Sequence, residues 1–329
     1  MIKRLFSSFG SMLVSPKRLA TRSWGTEFYA RMLRRLLQQG NQRDLHWLRA
    51  QIDGSVVPSP ALFKVNAVMR NVGGVDVAMV SPKSSALTTA SEQRVIIYFH
   101  GGGYVFGSPK SHHGVIAQLA VDSNCLVIAP DYRLAPEHPF PAPQDDCLAV
   151  TKAVAKAYPQ SQLILAGDSA GGALAIMAAL ELGALELEQS ARAGGSGVKG
   201  ADRLVLLSPW VDPLASEGTI QSNADNDFLI GPFLAKSYGA LMQSDTTISP
   251  RVRVLDADLT HLPPTLIQCG DGELFFDQIQ AFAEQAEQAG ADVTLSNFAG
   301  QFHVFQALSP VLKDARRAMQ EIARFIVAK

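Results

Sequence analysis

Ser169 stands in the run Leu163-Ile-Leu-Ala-Gly167-Asp168-Ser169-Ala170-Gly171-Gly172, an apolar stretch closed by Gly-x-Ser-x-Gly and followed by an Ala-rich helical pattern. A serine hydroxyl attacks a carbonyl only when it stands clear of the sheet, and the sharp strand-to-helix bend that presents it needs small neighbours, here Gly167 and Gly171. Such a bend places Ser169 at the positive end of a helix, where unpaired N–H groups, that of Ala170 among them, can receive developing negative charge. A second signal is His100-Gly101-Gly102-Gly103-Tyr104, directly after the apolar run Val95 to Phe99. Its glycines free the backbone to turn N–H groups towards a ligand. Taken singly, the serine run also fits a glycine-rich turn without chemistry or a phosphate cradle, and the glycine loop fits a strand exit or a nucleotide loop. The pattern G-x-G-x-x-G followed by an acid is not matched, which argues against a dinucleotide.

Where the serine stands at a Gly-x-Ser-x-Gly strand-to-helix elbow, its acid and base are expected to leave the same end of later parallel strands, in the order Ser, acid, His. His303 meets this condition, following the expected strand Val293 to Asn297 through Phe298-Ala-Gly300-Gln-Phe302. The other histidines have plainer places: His100 in the glycine loop, His138 in a proline-rich turn, and His46, His112, His113 and His261 in helices or loops. For the acid, the stretch beyond the expected strand Thr265 to Gln268 offers three carboxylates, Asp271, Glu273 and Asp277.

The elements that must position these groups are legible as periodicity. Phe63 to Met69 and Val75 to Val80 alternate about a turn at Asn71 to Gly74, which predicts an antiparallel hairpin. After a polar loop at Ser84 to Ser91, short apolar runs (Val95 to Phe99, Cys125 to Ala129, Leu163 to Ala166, Leu204 to Leu207, Thr265 to Gln268, Val293 to Asn297) alternate with helical stretches. The helices are expected over His113 to Val121, Gln144 to Ala157, Ala170 to Glu181, Gln278 to Ala289 and Leu312 to Ala328. Apolar runs too continuous for a half-exposed sheet, alternating with helices, predict an α/β three-layer sandwich with a mostly parallel sheet. Helical spacing from Thr26 to Ile52, broken near Gly40, and an excursion from Ala215 to Pro250 with a helical patch at Phe233 to Met242, predict a helical cap. Ala184 to Gly200 is expected to be a surface connection.

Hydrophobic residues make up 47% and charged residues 18% of the 329, enough apolar material for a buried sheet. A formal net charge of -1 gives no reason to expect nucleic acid. Residues 1 to 50, however, carry ten Lys or Arg against only Glu27 and Asp44, and Ile2, Leu5, Phe6, Phe9, Met12 and Leu13 form a helical stripe. That segment is expected to dock on the acidic remainder of the chain, with weak contact to a membrane surface as the alternative. Cys125, Cys147 and Cys269 are odd in number, lack metal-site spacing and lie in apolar runs, so a cytoplasmic location is expected. The start has no continuous apolar secretory core, and no stretch approaches an uninterrupted membrane span.

HGGGY, DYRLAPEHPFPAP (Asp131 to Pro143), GDSAGG (Gly167 to Gly172) and LSPW (Leu207 to Trp210), in that order, resemble the hormone-sensitive lipase family of esterases and lipases over Phe63 to the C-terminus. The resemblance implies an α/β-hydrolase fold with a helical cap and hydrolysis of short- to medium-chain acyl esters without metal or organic cofactor. It also implies oxyanion donors at Gly102, Gly103 and Ala170, and it puts Glu273 in the triad position ahead of Asp271, where the family more often has aspartate. Asp277 is then expected to cap the helix that follows. Asp131, Arg133 and Glu137 are read as a structural charged cluster, and Asp168 as an anchor of the serine bend. Phe106, Trp210, Phe228 and Phe233 are the candidates to contact substrate.

The expected organisation is a cap segment at 1–55, core at 56–214, a second cap segment at 215–250 and core again at 251–329. The expected partner is a small-molecule ester, bound by a monomer or homodimer. A peptidase or amidase with the same triad, and a ligand receptor without catalysis, are the rival readings.

Overall fold

The computed structural model describes residues 20–41, 43–54, 59–83, 94–190, 199–229, 231–243 and 249–328. The stripe at residues 2 to 13, the basic start up to residue 19 and the polar loop at 84–91 lie outside them.

Eight strands form one sheet in the order β1-β2-β4-β3-β5-β6-β7-β8. They are β1 Val65–Val72, β2 Val75–Pro82, β3 Arg94–Phe99, β4 Leu126–Pro130, β5 Gln162–Asp168, β6 Arg203–Leu207, β7 Thr265–Gly270 and β8 Val293–Phe298. The expected hairpin is β1–β2, turning on Gly73 and Gly74, and β2 runs antiparallel to β4. All remaining pairs are parallel.

Side chains of a strand alternate between faces, and here both faces are covered. Val95, Ile97 and Phe99 of β3, Leu163 and Leu165 of β5, and Leu204 and Leu206 of β6 enter one core. Ile96, Tyr98, Ile164, Ala166, Val205 and Leu207 enter the other. This double burial explains why the runs are continuously apolar.

Around the sheet lie α1 Trp24–Asn41, α2 Leu45–Gly54, α3 His113–Ser123, α4 Ala142–Ala157, α5 Ala170–Ser190, α6 Gly231–Met242, α7 Phe276–Gln288 and α8 Lys313–Val327. The helix α5 is long and apolar enough to cross a membrane, a length of apolar sequence not expected above, but Ala170 to Ala179 are all buried in the core. It also runs nine residues past its expected end at Glu181, so the connection expected from Ala184 is helical to Ser190, and 191–198 lie outside the described residues.

The charged cluster is corrected as well. Arg133 does not pair with Asp131 or Glu137: it grips Asp146 through Nη2 (2.7 Å to Oδ1) and Nε (2.9 Å to Oδ2), whereas Glu137 pairs with Arg49 at 2.8 Å. Cys125, Cys147 and Cys269 are buried and unbridged.

Candidate active site

The parallel register delivers the chemistry to one edge. Phe99 is level with Gly167, Asp168 with Leu207, Leu207 with Gln268, and Gly270 with Phe298. The loops bearing the glycine run, Ser169, Ser208, Glu273 and His303 therefore all leave the sheet side by side.

Ser169 occupies the bend between β5 and α5 at φ 54°, a left-handed conformation that costs a non-glycine residue energy and is held by its surroundings. Its N–H donates to Leu207 O at 3.0 Å, and its carbonyl accepts from Trp210 N–H at 2.9 Å and Gly172 N–H at 3.0 Å. None of these bonds uses the hydroxyl. The need for glycine next to the serine is steric: a Cβ on Gly171 would sit 2.1 Å from the Phe99 carbonyl oxygen.

The expected anchor, Asp168, turns to the other side. It accepts from Tyr98 Oη at 2.6 Å and from Gly101 N–H at 3.0 Å, and it lies 3.4 Å from His112 Nε2. The serine bend and the glycine loop are thus tied through one buried carboxylate. Burial pulls the His112 imidazole down, but the Asp168 charge and hydrogen bond carry it above its ordinary value. His100 has no such partner: burial, aided by His112, holds its imidazole at about 3, stacked 4.2 Å from Tyr132.

Gly102 has φ 125° and Gly103 has φ 59°. The N–H groups of Val105 and Phe106 both turn back to Gly102 O at 3.1 Å. Among the described residues, the backbone amides of Gly102, Gly103 and Ala170 have no acceptor. The buried hydroxyl of Ser237, on α6, is also unpartnered among the described residues and lies 3.1 Å from where a Cβ on Gly103 would be.

His303 and Glu273 meet. The Nδ1 atom lies 3.3 Å from Glu273 Oε2, within reach of the carboxylate but not aligned as a hydrogen bond, and both side chains are buried. Burial pushes the Glu273 carboxyl up, while His303 and the Ser208 hydroxyl oppose the push. Ser208 Oγ also accepts from Val304 N–H at 3.1 Å. His303 is therefore tied to the 207–210 turn that also binds the Ser169 backbone, and the edge-on contact of Phe275 with His303 (4.8 Å) and its stacking on Trp210 (5.8 Å) complete the link.

The other two carboxylates go elsewhere. Asp271 Oδ1 accepts from Gly300 N–H at 2.5 Å, so it shapes the histidine loop without facing the imidazole. Asp277 does not cap its own helix. Phe275 holds the cap position of α7, and Asp277 Oδ2 accepts instead from Thr219 N–H at 2.8 Å across the insertion between β6 and β7. Of the aromatic candidates, Phe106 faces Phe233 at 5.5 Å and Phe228 faces His303 at 6.0 Å, whereas Trp210 is 3% exposed, flat against Phe275.

Sequence reasoning missed Ser208, Ser237 and Asp227. Ser208 carried a usable signal, since it follows β6 as Ser169 follows β5. Among the described residues no group of three His, Cys, Asp or Glu side chains could hold a metal ion.

Residues 96–307 match the family model described as the alpha/beta hydrolase fold. An acetyl-hydrolase of Streptomyces hygroscopicus is 34% identical over 236 residues, covering 71% of this chain and 75% of the relative. An esterase of Acinetobacter venetianus is 32% identical over 239 residues, covering 72% and 75%. The crystal structure of an esterase from the bacterial hormone-sensitive lipase family superposes with TM-score 0.81 at 29% identity, covering 93% of this chain and 98% of that one.

Proposed function

The chain belongs to the hormone-sensitive lipase family of α/β-hydrolases and is a carboxylic ester hydrolase, and on that premise we propose that Ser169, His303 and Glu273 hydrolyse short- to medium-chain acyl esters through an acyl-enzyme. His303 Nε2 takes the hydroxyl proton of Ser169 as Oγ attacks the ester carbonyl, and Glu273 stabilises the imidazolium that forms. The carbonyl oxygen, now negative, is received by the amides of Gly102, Gly103 and Ala170. Collapse breaks the bond to the alkoxy group, which leaves as the alcohol with the proton from His303. Water then repeats the sequence on the acyl-serine. The observation that carries this reading is that three amides without an acceptor among the described residues, a serine bend and an imidazole beside a carboxylate stand on loops that leave one sheet edge side by side.

A cap built from α1, α2 and α6 is part of the proposal. Arg49 on α2 donates to Val105 O at 2.8 Å and to Ala135 O at 2.9 Å, and Phe233 of α6 meets Phe106, so α2 and α6 rest on the segment that follows the glycine run, while Arg34 of α1 holds the backbone of the insertion. Phe106, Phe228 and Phe233 would then contact the acyl chain, with Trp210 behind them. A cytoplasmic site of action fits the three unbridged cysteines.

A p-nitrophenyl ester series from acetate to palmitate, run beside matched anilides, tests the reaction class. The expected result is kcat/KM highest among the short and medium esters, with palmitate and all anilides far slower. Anilides turned over as fast as esters would make the protein an amidase, and binding without turnover would make it a receptor.

Gly102→Ala tests the oxyanion site. At φ 125° the new Cβ would lie 2.0 Å from the Phe106 carbonyl oxygen, so the loop must shift and take its amides with it. A loss of about 10²- to 10³-fold in kcat is expected, the effect of losing one oxyanion donor. Steady-state kinetics on the folded variant check it, and wild-type kcat would remove Gly102 from the site.

A further inference from the structure

Asp227 lies in the insertion between β6 and β7 and is only 2% exposed. A buried carboxylate is costly unless its oxygens are met by donors, and the donors found here belong to the site's own loops. Oδ2 accepts from Leu274 N–H at 2.9 Å, the residue after Glu273. Oδ1 accepts from Phe228 N–H at 2.7 Å and from His303 N–H at 3.3 Å. One side chain thus joins the backbones that carry the acid and the base.

The segment around it is anchored from both sides. Asn223 Nδ2 donates to Asp271 O at 2.9 Å and to Glu273 O at 3.0 Å. On the side of α1, Arg34 donates to Asp227 O at 2.8 Å, and Arg22 donates to Asn226 O at 2.6 Å and Gly300 O at 2.7 Å. Burial pushes the Asp227 carboxyl up, while His303 and the three amides pull the other way. The charged groups around His303 are Glu273 from the β7 loop and Asp227 from the insertion. The rings of Phe228 and Phe275 supply no charge. Arg22 reaches the backbone of Asn226 and Gly300, and Arg34 the backbone of Ala224 and Asp227 and the Asp225 side chain, and neither is bonded to the Asp227 carboxylate.

We propose that Asp227 is a positioning residue that fixes Glu273 against His303 by holding the backbone of both loops, and that its charge adds to that of Glu273 in favouring the imidazolium. This rests on the triad reading above. A carboxylate accepts on both oxygens, whereas an asparagine must turn its NH₂ towards one of the two amide sets. Asp227→Asn therefore releases one loop and removes the charge together, and Asp227→Glu keeps the charge on a longer arm.

The experiment is kcat, KM and the pH dependence of kcat/KM for p-nitrophenyl butyrate on wild type and both variants, with thermal melts to establish folding. For Asp227→Asn, kcat is expected to fall about 10²-fold at nearly unchanged KM, the cost of an ångström-scale misplacement. Its acid limb should move to lower pH, because the imidazolium has lost a nearby negative charge. Asp227→Glu should lower kcat less and leave the limb in place.

Wild-type kcat in folded Asp227→Asn, or a fall in activity with the limb unmoved, overturns the proposal. If Asp227→Asn does not fold, Asp227→Glu decides: lowered kcat with wild-type KM and limb supports it, and wild-type kcat overturns it. Organophosphonate labelling of wild type and Ser169→Ala in the same series isolates the triad reading, since failure there appears as labelling of Ser169→Ala whatever the Asp227 variants do.

Discussion

Ser169→Ala is expected to lower kcat for p-nitrophenyl butyrate by about 10⁶-fold, the loss seen when a triad hydrolase is stripped of its nucleophile. The fold is expected to stay intact, because the hydrogen bonds that Ser169 makes among the described residues are those of its backbone: N–H to Leu207 O, and carbonyl from Trp210, Gly172 and Ala173. The residue already sits at φ 54°, a conformation held by those same backbone bonds, which alanine retains. What disappears is the one atom that can bond to the acyl carbon. Circular dichroism and thermal melting beside steady-state kinetics check the result, and a folded Ser169→Ala that kept more than about a thousandth of the activity, far above the oxyanion-site residue expected, would remove Ser169 as nucleophile.

Glu273→Gln and Asp271→Asn separate two carboxylates that stand two positions apart and do different work. Glutamine keeps the shape of Glu273 but offers no negative charge to the imidazolium and can present NH₂ to Nδ1, which selects the wrong tautomer. A fall in kcat of about 10⁴-fold is expected, the cost of the corresponding change in another serine hydrolase. Asparagine at 271 keeps an oxygen for Gly300 N–H, so Asp271→Asn is expected to stay within about tenfold of wild type, as weakening one charged-acceptor hydrogen bond to a neutral one allows. Kinetics of both variants at the pH of maximal rate check the contrast. The opposite ranking would move the triad acid to Asp271.

The sheet, its hairpin and the two ends of the site were legible because each follows from a local pattern. Strand runs buried on two faces read as continuous apolar stretches, and Ser169 follows one of them directly, whereas His303 follows the half-exposed β8 through the turn at 299–302. Glu273, the proposed acid, was singled out only through family resemblance. Three carboxylates follow β7, and which of them meets His303 depends on a turn that sends Asp271 to Gly300 and Asp277 to Thr219. The extent of α5 was missed because Glu181, Glu186 and Glu188 break the apolar pattern, although they lie on its partly or fully exposed side. The partner of Arg133 was missed because Asp146 lies 13 residues away, in α4. Asp227 was least legible of all. It lies in a stretch rich in Asn and Asp that reads as irregular surface, and its partners are amides 47 and 76 residues downstream, which leave no trace in periodicity or spacing.

The most direct measurement is mass spectrometry of the protein after reaction with a p-nitrophenyl phosphonate, on wild type, Ser169→Ala and His303→Ala. One phosphonyl group should be found on the wild-type peptide bearing Ser169, none on Ser169→Ala, and on His303→Ala only at the slow rate of an unactivated hydroxyl. An adduct on any other residue, or His303→Ala labelling as fast as wild type, would contradict a serine at the bend activated by the imidazole beyond β8.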